Sequence, residues 1–176
     1  MRIRNVNLLG SNRGVAVVEF AIALPFLILI LLGLVDLCVL LDAKMKLVCL
    51  SREAANVLSR GAGFQQTFLA IENADGALDL DGPNGCMILT RISLDANGNA
   101  IITAQQTIGG LKHTSALGTL PPNAASAPAT VPNGRTVPPG MSLVVAELFS
   151  QHEHFYGKSG LIPGGQTIVM GSLAAF

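Results

Sequence analysis

Residues 20–41 read FAIALPFLILILLGLVDLCVLL, an apolar run broken only by Asp36. A hydrocarbon core of about 30 Å is crossed by about 20 helical residues, so this run is long enough to span a membrane. A secretory signal peptide is the competing explanation. It needs a shorter apolar core ending at a small-x-small cleavage site. Here Leu32 is followed by Gly-Leu-Val-Asp-Leu-Cys-Val, which offers no such site, so the span is expected to be retained. Pro25 lacks an N–H and crowds the carbonyl of Ala21, which predicts a bend. Asp36 is expected toward the outer face, within reach of headgroups or water.

The flanks orient the span. Arg2, Arg4 and Arg13 precede it with no acidic residue among positions 1–18, whereas basic residues beyond it are balanced by acids such as Asp42 and Glu53. By the positive-inside rule the N-terminus is cytoplasmic and the bulk of the chain is exported. The 176 residues suit one modest domain with appendages. Half are apolar, the mean hydropathy is +0.53 and the formal net charge is zero, which leaves no electrostatic footprint for nucleic acid.

Immediately before the span stands Arg13-Gly14-Val15-Ala16-Val17-Val18-Glu19-Phe20, followed by Ala-Ile-Ala-Leu-Pro-Phe-Leu. This stretch resembles the TadE-like minor pilins, or pseudopilins, of the tight-adherence (Flp) pilus system. The resemblance is specific over residues 13–35 and extends to about residue 61, where Ser51-Arg52-Glu53-Ala54-Ala55 is similar to the family's Ala/Arg-rich helix extension. Leu143 to Phe149 resembles its later strand more loosely. The resemblance implies a prepilin leader, residues 1–14, cut after Gly14 by a membrane aspartyl prepilin peptidase. Val15 would then open the mature chain, with Glu19 fifth and Phe20 sixth, the Glu-Phe/Tyr pair of this pilin class. The implied partners are the prepilin peptidase, other minor pilins and pilus assembly platform proteins. The implied place is the inner membrane, in a single pass, with the head periplasmic or extracellular and the product either in the pilus or in its assembly machine.

The chemistry of Glu19 can be argued from position alone. Cutting before Val15 creates an amine one helical turn from Glu19, and residues four apart share a helix face. In a bundle of such helices a buried carboxylate can neutralise a neighbour's amine, a pair tolerable together and costly when either is left alone. A glutamate solvated by headgroups is the simpler alternative.

Past the membrane, Ala43, Leu47, Leu50, Ala54, Val57 and Gly61 recur at spacings of four and three, one apolar stripe with Arg52, Asn56 and Ser59 roughly opposite. Met45, Val48 and Ala55 fall off the stripe and are candidates for contact with another subunit. Gly61 and Gly63 supply a stop, so a helix over 15–61 is expected. Residues 62–176 read as an exported head. Cys86–Leu94 is a strand, Asp95-Ala96-Asn97-Gly98-Asn99 a turn, and Ala100–Gln105 the return strand. Residues 109–140, rich in Gly, Pro, Ala, Ser and Thr, read as a flexible exposed loop and not a core. Ser142–Phe149 and Gln166–Ala175 give two more strands, and a short helix is placed around Phe68–Ile71. Four antiparallel strands against a long N-terminal helix make a pilin-like α+β fold.

Other constellations are weak. Asp75, Asp79, Asp81 and Gly82 are similar to a calcium loop but lack the glutamate at its twelfth position. His152-Glu153-His154 would need a third zinc ligand, and His113 is the only other histidine. Polar loops are the expectation at both places, with no metal and no cofactor. No nucleophile elbow, phosphate-binding loop or paired catalytic carboxylates stand out, so no catalysis is expected. Cys49 and Cys86 would both lie on the oxidising side. A bridge between them would contribute about 4 kcal/mol on the chain-entropy model, and two free thiols are the alternative. A membrane-anchored periplasmic binding module, using loop 109–140 with His152 and His154, competes with the pilin reading, as does an anchored periplasmic enzyme.

Overall fold

A computed structural model describes residues 12–76, 78–132, 135–153 and 167–176. The chain divides into two compact units, residues 1–39 and 40–176. In the first unit the described residues belong to one helix, α1 (Asn12–Ser59), which continues into the second and runs through Pro25 without interruption. From Gly14 to Leu31 every residue is exposed, so its apolar side chains have no protein core to enter.

In the second unit, α1 ends at Ser59, with Gly61 at φ +93° donating its N–H to the carbonyl of Leu58 (3.2 Å). The left-handed conformation there suits glycine, which carries no Cβ to clash. A second helix, α2 (Phe64–Asp75), buries Phe68 and Ile71. It is the expected short helix, lengthened on both sides. The sheet is built from β1 (Gly85–Leu94), β2 (Ala100–Ile108), β3 (Ala127–Pro128), β4 (Leu143–Glu153) and β5 (Thr167–Ala175), in the antiparallel order β3-β2-β1-β4-β5. The β1–β2 turn is closed by Asp95, whose Oδ1 accepts the N–H groups of Asn97 and Asn99, each at 2.8 Å. Those bonds, the Asn99 N–H first among them, hold the Asp95 carboxyl below its usual range.

Strand alternation sends Met87 and Leu89 of β1, and Val144, Ala146 and Leu148 of β4, to one face. There they meet Ala43, Leu47, Leu50, Ala54, Ala55 and Leu58 of α1, together with Phe68 and Ile71. The apolar stripe is therefore as expected up to Ala54, then turns by one residue. Leu58, not Val57 or Gly61, is buried, and so is Ala55, in the same cluster as Phe68 and Ile71 of α2. Polar contacts fix the helix on β5: Lys44 Nζ donates to the Gly171 carbonyl, and the Ser51 and Ser172 hydroxyls lie 2.9 Å apart.

The opposite face corrects two expectations. Residues 109–140 do not lie clear of the core: Leu117, Ala127 and Val137 are buried, and Leu117 and Val137 pack on Ile92, Ile102, Leu143 and Val145. The sheet is apolar on both faces, so its second face needs a cover, and the few aliphatic residues among the prolines and glycines supply one. The sheet also has five strands and not four, because Ala127-Pro128 pairs with Ile101 and Ile102 at the outer edge of β2. A proline is tolerated there because the edge N–H faces away from the ladder. His152, read as part of a polar loop, lies in β4 opposite Ile168; His154 lies outside the described residues.

Candidate functional site

Gly14, Val15, Glu19 and Phe20 occupy the first two turns of α1. The first N–H groups of a helix have no intrahelical acceptor, so the Gly14–Val15 bond sits in its least restrained turn. Among the described residues, no atom beyond its chain neighbours and its own helix backbone would come within 4 Å of a Cβ at Gly14, and Val15 is 59% exposed, which leaves this bond accessible. Glu19 is exposed one turn beyond Val15, on the same face, and has no hydrogen-bonding or ionic partner among the described residues. Phe20, 60% exposed, follows it into the apolar run. Chemically, this is an accessible peptide bond and a lone carboxylate at the head of a lipid-soluble helix. From Gly14 onward the helix is long and apolar enough to cross a membrane, and it fits a single-pass anchor.

The other sequence-derived residues are not brought together in the same way. Of the two alternatives for Cys49 and Cys86, the structure has the free thiols: Cys38, Cys49 and Cys86 are unbridged, with Cys49 exposed on α1 and Cys86 buried. Cys86 opposes Phe149 across β1 and β4, on the same side as Ile88 and Glu147, and that face turns away from α1. Burial, and then the negative charge of Glu147, push the Cys86 thiol up from its ordinary value. A buried protonated thiol is unreactive. In the full chain held in detergent, a maleimide is therefore expected to label Cys49 within minutes and Cys86 only after unfolding. Simultaneous protection of both without reductant would restore the bridge.

Among the described residues no three His, Cys, Asp or Glu side chains form a metal-binding group. Asp75 is instead committed to the fold, its Oδ2 accepting the Leu80 N–H at 2.9 Å. His113 stacks on Phe149 with ring centroids 3.6 Å apart. Phe149 in turn lies against Gly171, where a Cβ would come within 2.7 Å of its ring.

Sequence reasoning missed the latch that holds residues 109–140 down. Glu147 of β4 is 1% exposed, and its carboxylate accepts the Ser115 hydroxyl and, at 3.0 Å, the Ala116 N–H. The signal was present: Glu147 is the only charged residue in Leu143–Phe149, at a position whose neighbours two apart point inward. An acid there needs donors from the covering layer.

No curated protein and no solved structure matches the chain significantly. Residues 14–56, about a quarter of the chain, match the family model described as TadE-like protein. That match begins at Gly14 and runs along α1 to its last turn, so over this segment the chain is similar to the TadE-like family.

Proposed function

We propose that this chain is a minor pilin or pseudopilin, cut between Gly14 and Val15 by a prepilin peptidase and used in assembling a tight-adherence pilus. The observation that supports this most is the coincidence of the family match, which starts at Gly14, with an accessible first helical turn followed by Glu19 and a lipid-soluble helix. The cut removes Met1–Gly14 with its three arginines and leaves an uncharged side chain beside the new amine. By the positive-inside rule those arginines support a cytoplasmic N-terminus, with the head in the periplasm or outside the cell. Freed of them, the helix can be drawn toward other minor pilins and the assembly platform. The role is structural and not catalytic.

N-terminal sequencing of the membrane-bound protein, from cells with active prepilin peptidase, is expected to begin Val-Ala-Val-Val-Glu-Phe. Gly14→Arg should leave the uncut form, because it puts bulk and charge at the bond. An intact leader in the unaltered protein would remove the pilin reading and leave an anchored periplasmic module.

A further inference from the structure

Among the described residues the outer edge of β5 pairs with no further strand, and it carries a second feature, independent of the leader. Val144 and Phe176 exchange both backbone hydrogen bonds, at 2.9 and 3.0 Å. In an antiparallel pair such exchanges alternate along the ladder. Gly171, Leu173 and Ala175 therefore turn their N–H and C=O groups away from β4, toward the outer edge of the sheet. Two of these carbonyls are occupied, Gly171 by Lys44 and Ala175 by the Arg135 guanidinium. Cations placed on an edge discourage indiscriminate strand pairing. Leu173, between them, keeps its N–H and C=O unoccupied by any described residue, and its side chain is 37% exposed.

A cleft of about 510 Å³, counting its open mouth, lies along this stretch, lined by Arg52, Arg135 and residues 173–176. Arg52 comes from α1 and Arg135 from the covering segment, so two guanidinium groups from separate elements flank one piece of strand edge. Among the described residues neither has a carboxylate within 4.0 Å. Leu173 and Phe176, the latter 53% exposed, add apolar surface beside the charge. The cleft thus offers positive charge, a backbone donor and acceptor, and a small apolar floor. An inorganic anion would use the charge and the donor, but neither the backbone acceptor nor the apolar floor.

We propose that this cleft binds a carboxylate carried on an extended polypeptide of another protein. The carboxylate lies between Arg52 and Arg135, where guanidinium forks match its geometry, and the peptide backbone runs beside Leu173 as a short added strand. Because the Gly171 and Ala175 carbonyls are already occupied, the pairing is short, and the carboxylate decides whether it holds. This goes beyond the pilus reading and does not depend on cleavage at Gly14.

The test uses the full chain in detergent micelles and three labelled peptides. Acetyl-Thr-Val-Glu-Val-Thr-amide carries a side-chain carboxylate, acetyl-Thr-Val-Gln-Val-Thr with a free end carries a terminal one, and its amide carries neither. At least one acidic peptide is expected to bind about ten-fold more tightly than the neutral one. Arg52→Gln should remove that preference, since Arg52 makes no hydrogen bond or ion pair to a described residue that its loss would break. Lys46→Gln, which removes a surface cation paired with Asp42 at 2.8 Å, should leave it intact. Which acidic peptide wins tells a side-chain carboxylate from a chain end. The proposal is overturned by equal binding of the neutral peptide, by unchanged binding to Arg52→Gln, or by no binding up to about 1 mM. It is also overturned if free acetate competes as well as the peptides do, or if the edge is taken by a second copy in a dimer that survives Arg52→Gln.

Discussion

Glu19→Ala is expected to abolish assembly into filaments while cutting after Gly14 continues. The two steps use different parts of the same turns. Cutting needs an open bond, and the Gly14–Val15 bond has no neighbour to lose when Glu19 is shortened. On the proposed pilin reading, assembly needs a site for the amine that cutting creates. Helices exposed on every side pack against one another once lipid is displaced, and a neighbour's amine then enters apolar surroundings. Removing one member of a buried ion pair costs about 3–5 kcal/mol, because the other charge is left uncompensated. That corresponds to a loss of over a hundred-fold per contact. Shearing filaments from cells and probing them beside the membrane fraction would read the outcome. Variant chain in filaments at the normal level, correctly cut, would show that Glu19 is a solvated boundary residue and nothing more.

The Glu147 latch carries the largest expected effect within the head. Glu147→Ala leaves the Ser115 hydroxyl and the Ala116 N–H without their acceptor, and opens space beside Val145 and Ile88. A donor left unsatisfied costs about 1–3 kcal/mol, at the lower end here because Ser115 and Ala116 reach partly into water. A local loss of about 2–3 kcal/mol follows, or roughly a hundred-fold faster amide exchange at Leu117 and its neighbours. The exchange should stay confined to residues on the covering segment, with the core amides of β1 and β4 slower by comparison. Glu147→Gln keeps one acceptor and should fall between. Unchanged exchange in the alanine variant would mean that Leu117 and Val137 hold the segment by apolar packing alone.

The elements that sequence made legible are those whose pattern repeats. The apolar run over 20–41, the stripe from Ala43 to Ala54 and the β-branched runs of β1 and β2 each state their periodicity several times over. The start of the TadE-like match was legible for a different reason: an arginine, a glycine and a glutamate stand together just before the apolar run. What stayed hidden depends on single residues acting at long range. Residues 109–140 have the composition of a loop, and only three or four aliphatic side chains among them decide that it covers a sheet. Arg52 and Arg135 are 83 positions apart, and no local pattern predicts that both reach the end of β5. The free state of Cys49 and Cys86 was undecidable for a similar reason, since one residue of register in β1 would have moved the thiol to the helix face.

The strand order also sets a timetable. Synthesis runs from the N-terminus, so α1 exists long before the residues that cover it. The β1–β2 hairpin can close on its own, but Val144, Ala146 and Leu148, then Met170 and Ala174, reach the apolar stripe of α1 only when the last strands emerge. At about 5–20 residues per second the interval between Ser59 and Ala175 is on the order of ten seconds. Through that interval the stripe is covered only in part, by Phe68 and Ile71 and then by Met87 and Leu89. A chain stopped before β4 is complete would therefore keep part of the Leu47–Leu58 stripe without its own sheet over it.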